Sequence, residues 1–67
     1  MMNTIDTRGY SCPEPVIMTR KAIAAGTPLT VLVDSETPLQ NVTRFAVNAG
    51  YKVSHKELDG DYQITIE

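Results

Sequence analysis

One cysteine, one histidine, one phenylalanine and no tryptophan occur among the 67 residues. A lone thiol cannot close an intrachain disulfide, and with a single distant imidazole it cannot supply the ligands of a structural zinc site. No metal or cofactor is therefore expected. The chain also lacks an apolar run long enough to span a membrane and a basic-then-apolar leader, so no membrane association and a cytoplasmic location are expected. Repeats, low-complexity tracts and linkers are absent, and the length suits one folded unit over 1–67, near the size at which a single core just suffices. Strong basicity is missing too: the formal charge is −2, and a nucleic-acid binder needs a markedly basic face. Residues 57–67 hold Glu57, Asp59, Asp61 and Glu67 without a base, which leaves the remainder net positive. Around Cys12, Arg8, Arg20 and Lys21 outnumber Asp6 and Glu14, so a slightly positive thiol environment is expected.

The apolar pattern predicts six elements. Residues 2–6 read as a short strand with Ile5 inward, and 7–11 as a loop. From Pro13 the spacing turns helical, with Val16, Thr19 or Arg20, and Ile23 in line, until Gly26 ends the helix. Residues 29–34 form a strand whose Leu29, Val31 and Val33 face one way and whose Leu32 adds apolar bulk to the other, as in a central strand. Ser35 suits a helix cap, with Glu36 and Pro38 in the first turn and Leu39, Val42, Phe45 or Ala46, and Ala49 recurring up to Gly50. Residues 51–58 and 61–66 then alternate as strands around the hairpin pair Asp59-Gly60. Right-handed crossovers put both helices on one face, giving an α+β two-layer sandwich, β-α-β-α-β-β, with two helices on a mixed four-stranded sheet. The other sheet face is expected to lie largely open to solvent.

The segment YSCPEPV, residues 10–16, sets the thiol directly before two prolines. The first N–H groups of a helix have no intrahelical partner, so proline loses nothing there and its fixed φ is already helical. With Cys12 as the cap, Pro13 and Pro15 fall at the first and third helical positions. Pro15 also disfavours the helical region for Glu14, which predicts a tightened or irregular entry turn. A thiol at a helix start is easier to ionise, Arg8 would assist and Glu14 would oppose, so a modest depression of its pKa is expected. Gly9 allows the loop a close approach. Free cysteine is equally at home as a small buried hydrophobe, and spacing alone leaves both readings open.

The stretch DTRGYSCPEPVIMTRKAI, residues 6–23, resembles the signature of the TusA/SirA-type sulfur-carrier family, a Cys-Pro-x-Pro motif preceded by an Asp-x-Arg-Gly loop. Asp6, Arg8, Gly9, Cys12, Pro13 and Pro15 match in register, and the likeness continues through VLVDSETPLQNVTRFAVNAGYKV. The resemblance implies a sandwich like the C-terminal domain of translation initiation factor three. It further implies that Cys12 accepts sulfane sulfur as a persulfide from a cysteine desulfurase or rhodanese-like donor and passes it to a downstream acceptor, in tRNA thiolation or in sulfur or selenium metabolism. A sulfurtransferase-like carrier is implied, rather than a multiple-turnover enzyme. RFAVNAGYKV and the acidic hairpin look most like the N-terminal domain of larger, YedF-like proteins of selenium metabolism, and the ending at Glu67 fits a domain of a longer protein.

On this resemblance Pro13, Pro15, Gly9 and Arg8 support the site. Tyr10, Glu14, Ile17, Met18, Arg20 and Lys21 are candidates for partner docking, although Ile17 and Met18 also suit core cover. His55 reads as a sheet-edge residue, Tyr51 and Tyr62 as sheet packing, and the carboxylates of 57–67 as a solvated edge that discourages strand addition. Met1, Met2 and Met18 are too scattered for a soft-metal site. A monomer is expected. The alternative is a non-catalytic regulatory or RNA-binding domain of the same fold, for which Arg44, Lys52 and Lys56 give thin phosphate anchoring.

Overall fold

The expected periodicities produce the expected elements. The computed structural model describes residues 3–11 and 14–67. The expectations for Met1, Met2, Cys12 as helix cap and Pro13 at the first helical position fall outside that range. The order is β1 (Asn3–Asp6), α1 (Glu14–Ala24), β2 (Leu29–Val33), α2 (Glu36–Asn48), β3 (Val53–Glu57) and β4 (Tyr62–Ile66). The sheet runs β1-β2-β4-β3, with β1 parallel to β2 and both remaining pairs antiparallel. β2 and β4 are therefore the central strands, as the two-sided apolar bulk of β2 implies. No helix among the described residues is long and apolar enough to cross a membrane.

Alternation decides which side chains are covered. Leu29, Val31 and Val33 of β2 and Ile64 and Ile66 of β4 point to the helix face and are fully buried against Leu39, Val42 and Ala46 of α2. Ile5, Val16, Ala22 and Ile23 pack at the margin of this cluster. The helical alternatives resolve on the same ground. Thr19 rather than Arg20 takes the inward position of α1, and Ala46 rather than Phe45 that of α2. Thr19 is polar but satisfied, because its hydroxyl donates to the Pro15 carbonyl at 2.8 Å one turn earlier.

The opposite sheet face carries two cross-strand rows, Thr4, Thr30, Thr65 and Ser54, then Asp6, Leu32, Gln63 and Lys56. Neighbouring strands bury Thr30 in its centre, while Thr4, Ser54 and Lys56 are exposed. Lys56 is the one base in these rows, and exposed Lys52, which pairs with Glu67 just beyond them, adds a second, so the phosphate-binding alternative finds two scattered lysines on this face.

The Ser35 cap departs from expectation, while the two-residue hairpin forms where expected. Ser35 occupies the cap position of α2 with an extended backbone, yet its hydroxyl makes no capping hydrogen bond. In the hairpin, Leu58 and Asp61 exchange backbone hydrogen bonds of 2.7 and 3.1 Å around Asp59-Gly60, but only Gly60 takes a positive φ, of 86°. Asp59 keeps ordinary geometry, so the turn is not the type I′ that would need both residues left-handed.

Candidate functional site

Strand direction gathers one end of the molecule. β1 and β2 run parallel, so their C-terminal ends lie side by side, and each is followed by a helix that starts at that same end. The β3–β4 turn closes there too, since Glu57 and Tyr62 are level with Val33. Open sheets of this kind offer their loops for binding at the carboxyl ends of parallel strands. The loop leading to Cys12 belongs to this end.

Residues 7–11 of that loop are held by polar contacts rather than by apolar cover. Thr7 is buried, and both its N–H and its hydroxyl donate to the Leu32 carbonyl, at 3.0 and 2.6 Å. Arg8 grips Asp6 with its Nε and Nη2 at 2.9 and 2.8 Å, while its Nη1 reaches Asp61 in the hairpin at 3.1 Å. The Arg8 N–H also donates to Asp6 at 3.0 Å. Gly9, at φ 87°, donates its N–H to the Asp34 carboxylate at 2.7 Å. A side chain at Gly9 would meet no atom within 4 Å, so what calls for glycine here is the left-handed backbone alone. The Glu14 N–H donates to the Ser11 carbonyl at 3.0 Å, a three-residue step, and Glu14 is already helical despite the restriction expected from the following Pro15. Pro15 is itself buried, so it packs as well as stiffens.

These contacts correct the electrostatic expectation. Arg8 does not stand free to assist a thiolate, because two carboxylates share its guanidinium and raise its pKa above the usual arginine value. Asp61 is not a bare solvated edge but the partner of Arg8 across the hairpin. Arg20 and Lys21 are exposed in the later turns of α1, roughly 9 Å along the axis from its start. The end of the molecule where this loop, both helix starts and the hairpin meet is acidic instead. Asp6, Asp34 and Glu57 close strands there, Glu14 and Glu36 open helices, and Asp59 and Asp61 sit in the hairpin, so every acidic residue but Glu67 is at this end. Only Arg8 and Lys56 oppose them. Residues distant in sequence supply this charge, which is why a local count around Cys12 missed it.

Asp6 gives this arrangement a measurable signature. Hydrogen bonds from the Arg8 side chain, then from the Arg8 N–H, lower its pKa from 3.8 to about 2. A depressed carboxyl favours the folded state above its unfolded pKa and loses that contribution as pH falls through the folded value. The Asp6 contribution is thus complete above about pH 4 and fades toward pH 2. Carboxyl-carbon NMR titration should show Asp6 moving near pH 2 in the wild type and returning toward 3.8 in Arg8→Ala; an unmoved titration would break the assigned ion pair.

The other candidates spread around this end. Tyr10 is 52 % exposed. Glu14 is exposed at the start of α1, whereas Ile17 and Met18 are half-buried, between docking surface and core cover. His55 lies exposed on edge strand β3, its ring edge-on to Tyr62 at 6.5 Å. It lines a separate groove of about 530 Å³ between α2 and β3, walled by Leu39, Thr43 and Val47. Thr7, Asp34 and Asp61 are the contributors that sequence reasoning passed over. A signal existed for Asp34: parallel pairing puts the residue after β2 beside the loop after β1.

Comparison with known proteins agrees with this geometry. Residues 3–67 match the family model described as sulfurtransferase TusA. A candidate sulfur carrier protein of Methanocaldococcus jannaschii is 37% identical over 70 aligned residues, covering 98% of this chain and 93% of that protein. The crystal structure of a SirA-like protein from Desulfitobacterium hafniense superposes with a TM-score of 0.89 at 42% identity, covering 98% of this chain and 95% of the other.

Proposed function

The chain belongs to the sulfurtransferase TusA family, and from that premise we propose that it relays sulfane sulfur as a persulfide on Cys12. The observation that carries this reading is positional. The chain's one cysteine stands in the sequence between Ser11, which ends the tethered loop, and Glu14, which opens α1. Here the thiolate of Cys12 attacks the outer sulfur of a donor persulfide, the donor's S–S bond breaks, and the donor cysteine leaves as a thiolate. An acceptor thiolate then attacks the outer sulfur of Cys12–S–S⁻ and returns the Cys12 thiolate. Each step exchanges one S–S bond for another, so no external oxidant or reductant is needed.

Pro15 stiffens the start of α1, Pro13 completes the motif in the sequence, and Arg8 and Gly9 shape the loop that leads to it. Donor and acceptor are proteins, a cysteine desulfurase or rhodanese-like protein upstream and a thiolation or sulfur-metabolism protein downstream. Tyr10, Glu14, Ile17 and Met18, close to Cys12 in the sequence, are the residues offered for them to touch. Arg20 and Lys21, late in α1, extend that surface. Mass spectrometry after incubation with a cysteine desulfurase and cysteine should find one added sulfur on the wild type and none on Cys12→Ala. Equal labelling of both proteins would defeat the assignment.

A further inference from the structure

We infer that Asp34 is a positioning residue for sulfur transfer, acting through its hydrogen bond to the Gly9 N–H; this rests on the carrier reading above. The loop before Cys12 has three polar anchors, and they differ in what they restrain. Thr7 continues the β1–β2 pairing through the Leu32 carbonyl and fixes where the loop leaves the sheet. Arg8 is held chiefly by Asp6, two residues away, so its main pair is local. The 2.7 Å bond from Gly9 to Asp34 spans 25 positions. It ties the crest of the loop to the residue that follows central strand β2, whose Leu29, Val31 and Val33 are fully buried.

Beyond Gly9, the Tyr10 N–H returns to the Thr7 carbonyl at 3.3 Å, and both Tyr10 and Ser11 are exposed. Among the described residues, the Gly9–Asp34 bond is the last long-range hydrogen bond of the loop before the start of α1. Hydrogen bonds to a charged acceptor are among the stronger ones. Nucleophilic transfer between two proteins depends on presenting the sulfur along a narrow approach, and a misplacement of about 1 Å can cost up to roughly a hundredfold in rate. The role assigned to Asp34 is one of position rather than of chemistry. Its part is to keep the path to Cys12 in one conformation.

Two variants separate the hydrogen bond from the charge. Asp34→Ala removes the acceptor, whereas Asp34→Asn loses the charge and keeps a side-chain carbonyl that can accept from Gly9. Single-turnover loading from a persulfidated cysteine desulfurase should slow about tenfold in Asp34→Ala and stay within about twofold of wild type in Asp34→Asn. Amide exchange at Gly9 should quicken in Asp34→Ala alone, with thermal midpoints nearly equal in all three proteins. Wild-type loading by Asp34→Ala overturns the inference and leaves the carrier reading intact. So does slow loading by Asp34→Asn with Gly9 still protected, which would make charge the cause. A wild type that takes no sulfur removes the carrier reading and this inference with it.

Discussion

Ile64→Ala should cost about 2–5 kcal/mol of stability, the usual range for truncating a fully buried aliphatic side chain. Ile64 is wholly inaccessible at the middle of central strand β4, flanked by Val31 on β2 and His55 on β3 and facing the helices. Its removal opens a cavity where neighbouring strands are pinned by their ladders and cannot collapse inward. A chain of 67 residues has roughly 3–10 kcal/mol in total, so this change alone leaves the fold near its limit. Leu32, on the same sheet but half-buried on the uncovered face, is the control. Leu32→Ala loses less than half as much, because water already reaches part of the side chain. Urea titrations of both variants give the comparison, with the slope of the transition unchanged if both remain two-state. Equal losses would mean that the two faces are covered alike, contrary to the layering described.

The sandwich was legible because its signals were local or topological. Apolar bulk on both faces of LTVLVD placed β2 at the centre, Gly26 and Gly50 ended the helices with positive φ, and right-handed crossovers put both helices on one face. Spacing left close pairs undecided. Thr19 and Arg20 compete for one inward position of α1, and burial favours the one whose polar atom finds a partner within its own helix. Phe45 and Ala46 compete in α2, where the close approach of helix and sheet favours the smaller side chain.

The thiol loop was half legible. Its glycine and its arginine stand out in the sequence, but their partners Asp34 and Asp61 lie 25 and 53 positions away and come near only once the sheet has formed. Counting charges along the chain treated Arg8 as free and the hairpin carboxylates as remote. Both readings failed for the same reason, that an ion pair is decided by the fold and not by the spacing.

Iodoacetate should alkylate Cys12 about tenfold more slowly, relative to neutral iodoacetamide, than it alkylates a simple peptide thiol, and salt should close the gap. Two opposed fields act at this end. Each helix start contributes the equivalent of roughly +0.5 charge, confined to its first turn. Against these stand full charges on Asp34, Glu14, Glu36 and the hairpin carboxylates, with Arg8 already neutralised by Asp6 and Asp61. Whole charges outnumber the dipole ends at this end of the molecule, so their sum is expected to repel an anion approaching the thiol. Taking the ratio of the two reagents cancels the ionisation and exposure of the thiol, which affect both equally. Raising ionic strength screens the carboxylates and should bring the ratio back toward that of the free peptide. Glu36→Gln and Asp59→Asn, neither of which holds the loop, should each move it part of the way. A ratio equal to that of the free peptide at low salt would show that the helix starts, not the carboxylates, govern the field at the thiol.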